Sequence, residues 1–176
     1  MLFRSRVARE GAVLIDGQDE VRLNTPPWLA QSWQAAYGPE AARDIARAHL
    51  QEAALDLTVN GDAARWATTL DAELLPTGSL RYRGDTAVSD LPGYADGAWW
   101  VQDAAAALPA RLLGDVRGRR MIDLCAAPGG KTAQLAAAGG HVTAVDRSTG
   151  RMARLSANLQ RLGLQAETIV ADVQTW

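Results

Sequence analysis

The chain has 176 residues, a net charge of −2, 48% hydrophobic and 22% charged residues, as expected of one globular domain or two small ones. Its one cysteine excludes an internal disulfide framework and a cysteine-rich zinc site, and fits a reducing cytoplasm. Arg4, Arg6 and Arg9 interrupt any signal-peptide core, and no apolar run approaches the ~20 residues of a membrane span.

Residues 1–23 show no clear period and read as a linker or a trimmed neighbour. Asn24-Thr25-Pro26-Pro27 reads as a helix start, a capping side chain followed by prolines tolerated in the first turn. That helix carries Trp28 and Trp33 and stops at Gly38. Pro39 opens a second, with Ala42, Ile45, Ala46, His49 and Leu50 on one face, which makes His49 a packed or half-buried residue rather than a metal ligand. Leu55, Leu57 and Val59 alternate with Asp56, Thr58 and Asn60, the pattern of a half-buried strand. Asp62 can cap a short helix holding Trp66 and Leu70, and a further strand is expected near Ser79–Arg83. Residues 24–95 thus predict a small α+β module.

From Gly97 the pattern changes. Ala98–Val101 is a short apolar strand, and Asp103 caps a helix reaching Leu113 that Pro109 bends or breaks. Of the adjacent Trp99 and Trp100, one should point into the core, which weakens a base-stacking role for the pair. Met121–Cys125, His141–Asp146 and Ala166–Asp172 read as strands, separated by helices at Lys131–Ala138 and Ser148–Leu162. Strand, helix, strand, helix, strand predicts an α/β fold: parallel pairing with right-handed crossovers, the first half of a doubly wound sheet over residues 96–176.

Such folds bind ligands at the carboxyl ends of their strands. The first strand runs into the small-residue loop Cys125, Ala126, Ala127, Pro128, Gly129, Gly130, Lys131, where a ligand can approach the backbone and the helix start offers free N–H donors. Lys131 is the chain's only lysine among seventeen arginines. The second strand ends at Asp146, able to accept from ribose hydroxyls or to cap the next helix. The third ends at Asp172, placed to accept from an exocyclic amine such as adenine's. Together they favour an adenosine-type ligand. Gly130-Lys131-Thr132 also matches the end of a P-loop, but Cys125 stands at its first glycine and Pro128 removes a phosphate-facing N–H. A dinucleotide would need the Gly-x-Gly-x-x-Gly spacing. S-adenosylmethionine needs a ribose acid and an adenine partner without a phosphate cradle, and fits best.

The string Asp123-Leu124-Cys125-Ala126-Ala127-Pro128-Gly129-Gly130-Lys131-Thr132 resembles the cofactor motif of the Nop/Sun-type RNA 5-cytosine methyltransferases, which include bacterial small-subunit rRNA enzymes. Ala144-Val145-Asp146-Arg147-Ser148 and Ala171-Asp172 are similar to the family's second and third motifs, Gly97–Asp103 to its Val-Gln-Asp segment, and Leu23-Asn24-Thr25-Pro26 to the linker of the bacterial subgroup. The resemblance implies a Rossmann-like class I methyltransferase fold and S-adenosylmethionine held by Cys125–Lys131, Asp146 and Asp172. It also implies an RNA partner, small-subunit rRNA in the bacterial subgroup, contacted by residues before about 95, and a cytoplasmic enzyme. The family's catalytic cysteines lie in Pro-Cys and Thr-Cys motifs that this sequence does not contain, and Cys125 falls in the cofactor loop. The chain therefore reads as an internal piece of a methyltransferase that supplies no catalytic residue of its own and no metal site. A P-loop nucleotide-binding protein and a non-catalytic RNA-binding fragment are the alternatives.

Arg147, Arg151, Arg154 and Arg161 share one side of the last helix, opposite Met152, Leu155, Leu159 and Leu162, and read as a solvated face. Arg117, Arg119 and Arg120 form a second basic cluster, and residues 96–176 carry nine basic against seven acidic side chains, a mild bias toward an anionic partner. With only the first half of the sheet present, Met121–Cys125 is expected to be an unprotected edge through which the chain self-associates.

Overall fold

The computed structural model describes residues 11, 13, 16–51 and 53–176. The chain divides into two compact units, residues 1–53 and 54–176. Most of the expected linker over 1–23 lies outside the described residues.

The first unit is helical: α1 (Glu20–Asn24), α2 (Pro27–Tyr37) and α3 (Pro39–His49). A helix therefore stands at the end of the segment read as linker, started by the Asp19 carboxylate accepting from the Arg22 N–H. Asn24 and Thr25 do not cap α2. They close α1, the Asn24 amide donating to the Glu20 carbonyl and the Thr25 hydroxyl to that of Val21. Pro26 stands at the N-cap of α2 and makes no side-chain capping bond. His49 is exposed rather than half-buried, its ring set edge-on to Trp33 at 5.0 Å.

The second unit holds two sheets. The first is antiparallel, in the order β2-β3-β1-β4, from β1 (Leu55–Val59), β2 (Glu73–Leu74), β3 (Leu80–Tyr82) and β4 (Trp99–Val101), with α4 (Ala63–Leu70) between β1 and β2. Asp62 caps α4 by accepting from the Arg65 N–H. The second sheet is parallel, in the order β5-β6-β7, from β5 (Arg120–Leu124), β6 (His141–Asp146) and β7 (Glu167–Val170). Helices α5 (Ala104–Arg111), α6 (Gly130–Ala137) and α7 (Thr149–Leu162) complete the unit. This is the α/β doubly wound half expected from the sequence. Among the described residues no helix is long and apolar enough to cross a membrane.

The division falls between Ala53 and Ala54, not at residue 95, because β4 pairs directly with β1 and ties the strands of 54–95 to the rest of the second unit. Successive side chains of a strand point to opposite faces. Trp99 (0% exposed) packs with Leu57, Leu70, Leu80 and Leu91, and its indole donates to the Pro92 carbonyl. Trp100 (1% exposed) packs with Ala126, Ala144, Leu155 and Leu159. Both tryptophans are core: one was expected to turn inward, and the other does so as well because β4 lies between two cores. Truncating a side chain so enclosed removes about 3–5 kcal/mol.

β1 is also covered on both faces, against the half-buried reading. Its odd residues join the Trp99 core, while Asp56 on the other face is buried and takes a forked pair of bonds from Arg81 at 2.8 and 2.9 Å. The same carboxylate accepts the Ala104 N–H at 3.1 Å and so helps start α5, beside the Asp103 cap expected from the sequence. Pro109 is accommodated within α5, which ends at Arg111 rather than Leu113.

Removing Asp56 strands the Arg81 cation and an α5 N–H. Asp56→Ala is expected to destabilise the chain by about 3 kcal/mol in urea melts, the range for breaking a buried pair. The hydrogen bonds from Arg81 hold the Asp56 carboxyl below its ordinary value, with the Ala104 N–H assisting and burial opposing. The carboxylate's contribution is thus complete above about pH 4 and is lost as pH falls through the depressed native value. The difference between wild type and Asp56→Ala should shrink over that acid range.

Candidate functional site

The loop after β5 is shaped by what its small residues allow. Ala126 and Ala127 are buried, and the Ala126 N–H donates to the Val145 carbonyl at 3.0 Å, continuing the β5–β6 ladder one step past the strand. Gly129 precedes α6 at φ 109°, and a Cβ there would come within 2.9 Å of the Leu155 side chain. Only glycine meets both the left-handed backbone and this contact with α7. A Cβ on Gly130 would touch Gln102 at 3.4 Å. Cys125, Pro128 and Lys131 are exposed, and Cys125 adopts φ 63°. The loop is thus pressed onto α7 through its alanines and Gly129, while Cys125 and Lys131 remain open to solvent.

Asp146, the last residue of β6, is 3% exposed and sits beside this loop. Its Oδ2 accepts the Ala127 N–H at 3.2 Å and its Oδ1 the Ser148 N–H at 2.9 Å. The carboxyl is held below the usual range chiefly by the Ser148 bond; burial opposes this, while the Ala127 bond and the charges of Arg151 and Arg147 add to it. It is therefore ionised at neutral pH. Asp146 helps organise the start of α7 although the cap itself is Ser148, and a carboxylate with about four acceptor positions keeps capacity beyond those two N–H groups.

Asp172 is placed differently from its expected position. β7 stops at Val170, the Ala171 N–H still donates to the Asp146 carbonyl, and Asp172 is an exposed residue heading a turn, its Oδ1 accepting from the Gln174 N–H. It lies past the carboxyl edge of the sheet that also carries Asp146 and the loop.

Several residues at the site escape a reading by pattern. Thr132 is fully buried, and its hydroxyl donates to the Asp123 carboxylate at 2.6 Å, tying α6 to β5. Gln102 accepts from the Trp100 indole and donates to Gln134, whose amide donates in turn to the Ala107 carbonyl. The arginine face of α7 is only partly solvated. Arg161 reaches the carbonyls of Tyr94 and Trp99 and lies 4.2 Å over the Tyr94 ring, and Arg151 reaches the Ala127 carbonyl with Nη1 3.6 Å from Asp146. One signal for Arg151 was available: it is a cation in the first turn of a helix, where the dipole disfavours it and another contact has to compensate. A concavity lies at the other end of the strands, lined by Met121, Ile122, Val142, Leu164 and Thr168, away from these groups.

Residues 110–176 match the family model described as 16S rRNA methyltransferase RsmB/F. The chain is 38% identical over 94% of its length to the ribosomal RNA small subunit methyltransferase B of Pseudomonas syringae pv. tomato and 39% identical over 89% to that of Serratia proteamaculans, covering 40% and 39% of those proteins. The chain therefore spans about two fifths of the length of the curated relatives it matches. In fold it is similar to NSun6 from Pyrococcus horikoshii solved with SFG, with a TM-score of 0.76 at 16% identity, over 85% of this chain and 66% of that one. A methyltransferase homologue from the same organism matches with a TM-score of 0.72 at 23% identity, over 86% of this chain and 54% of that one. The RsmB/F match over the parallel sheet and the relatives' similarity along nearly the whole chain agree in making this chain similar to a segment of the RsmB-like methyltransferases, with a fold that their structural neighbours share.

Proposed function

We propose that this chain is the S-adenosylmethionine-binding segment of an RsmB-like enzyme that methylates carbon 5 of a cytosine in small-subunit rRNA in the cytoplasm. The observation that carries the reading is the buried, ionised Asp146 carboxylate set at the carboxyl end of β6 against the Ala126–Gly129 loop. In this reading Asp146 accepts from the ribose hydroxyls, Asp172 accepts from the adenine amine, and Cys125–Lys131 bounds the ligand. Lys131 and the free N–H groups at the start of α6 suit the ligand's carboxylate. The bound cofactor supplies an electrophilic methyl group. The residues of this chain bind and orient it, and the cysteines that attack the base in the resembled family belong to motifs outside this sequence.

The P-loop alternative is disfavoured by Thr132. A P-loop needs that hydroxyl at the metal beside the phosphates, and here it is buried and committed to Asp123. A stacking platform built on Trp99 and Trp100 is disfavoured by their burial.

Titration calorimetry separates these readings. Saturable binding of S-adenosylmethionine without binding of ATP is expected. Asp146→Ala should weaken the former by about 1.5–3 kcal/mol, the range of hydrogen bonds to a charged group. ATP binding, or an affinity indifferent to Asp146→Ala, would remove the reading.

Self-association belongs to the same proposal. β5 is an edge strand, with Ile122 and Leu124 58% and 48% exposed, and it carries neither proline nor lysine to blunt pairing with a second copy. Sedimentation velocity on the full chain should show association that grows with concentration. A compact monomer throughout the micromolar range would contradict it.

A further inference from the structure

Arg151 occupies the third position of α7, where the Ser148 hydroxyl accepts its backbone N–H at 3.3 Å and fixes the turn. Its side chain does not follow the solvated face. Nη2 donates to the Ala127 carbonyl, and Nη1 stands 3.6 Å from Asp146 Oδ2. Oδ2 in turn accepts the N–H of the same Ala127. Asp146, Ala127 and Arg151 therefore form a closed ring of contacts: carboxylate to loop N–H, loop carbonyl to guanidinium, guanidinium back to carboxylate.

We propose that Arg151 is a positioning residue for ribose recognition, a forked clamp that locks the Ala127 segment of the loop and the Asp146 carboxylate into one fixed unit. The proposal rests on the reading of Asp146 as the ribose acceptor. Ser148 restrains only Oδ1. Oδ2 is restrained by Ala127 and Arg151, and Ala127 is itself held from its carbonyl side by Arg151. Without the guanidinium the carboxylate can rotate and the loop carbonyl is released, while Met152 and Leu155 on the buried side of α7 keep the helix in place. The Arg151 side chain is 53% exposed, so its charge is screened and its value to the site is geometric. A fork that reaches two acceptors at once is the property lysine lacks.

The test uses calorimetry on the full chain with S-adenosylhomocysteine and its 2′-deoxyribose analogue. The ratio of the two affinities reads the grip on the ribose, and a general loss of stability would not change it. Wild type should prefer the ribose ligand, and Asp146→Ala should abolish the preference. Arg151→Gln should weaken the ribose ligand roughly fivefold to tenfold, as for one lost hydrogen bond, leave the deoxy ligand nearly unchanged, and so collapse the ratio. Arg151→Lys should not restore it. Arg154→Gln, an exposed charge on the same helix, should leave both affinities unchanged. Equal weakening of both ligands, an unaltered ratio in Arg151→Gln, or recovery with lysine would overturn the clamp while leaving the cofactor site standing. Failure of wild type to bind S-adenosylhomocysteine would overturn the cofactor reading itself, and the clamp with it.

Discussion

The second unit depends on one three-residue strand whose two faces serve two cores. Alternation along β4 sends Trp99 into the leucines of the antiparallel sheet and Trp100 into the alanines and leucines under the parallel one. Trp100, carried by a strand of one sheet, is buried by residues packed on the other. Both indole N–H groups are satisfied inside, Trp99 by the Pro92 carbonyl and Trp100 by Gln102, which removes the penalty a buried donor would otherwise carry. Two further links cross the same junction. Asp56 joins Arg81 of β3 to the start of α5, and Arg161 carries α7 to the carbonyls of Tyr94 and Trp99. Gly97 lets the chain pass there, since a Cβ would lie 2.2 Å from the Arg161 carbonyl oxygen.

The junction bears on the loop because the Trp100 core is also the loop's floor. Ala126 and Ala127 pack in it with Leu155, the residue that presses on Gly129. The Gln102 amide extends the same support to α6 by donating to Gln134. A loop of small residues would ordinarily be mobile, because glycine and alanine bring little side-chain packing. Here close backbone approach to α7 and the carboxylate of Asp146 replace that packing. The result is a surface whose backbone is held and whose outer side, at Cys125 and Lys131, stays open.

Such a surface suits a ligand recognised by a few polar contacts rather than by a dense phosphate cradle. The burial of Thr132 against Asp123 and the ionised Asp146 pull in the same direction. The RsmB/F match covers residues 110–176, the part containing the loop, both crossover helices and all three parallel strands. Under the proposed function, this is the segment that holds the methyl donor.

Local order was legible from residue pattern because its causes are local. Apolar periodicity located β5, α6, β6 and α7 to within a residue or two. The side chains of Asp62 and Asp103 sit at the N-caps expected of them because a cap is decided within one turn. Even there, competition between neighbouring helices went unseen, and Asn24 and Thr25 serve the helix before them. The run from Asp123 to Thr132 placed the loop between strand and helix for the same local reason. What alternation cannot say is what covers the second face. Asp56 and Thr58 lie on the face that alternation leaves to solvent and are buried, Trp99 and Trp100 are both in where one was expected, and Arg151 and Arg161 read as solvated and are tied to carbonyls distant in sequence. By itself the sequence determined the order of elements, the caps at their starts and the small-residue loop, because these depend on side-chain size and spacing along one chain. Only the tertiary structure decided which faces are buried, which arginines are tethered and how the loop meets Asp146, because those depend on partners tens of residues away.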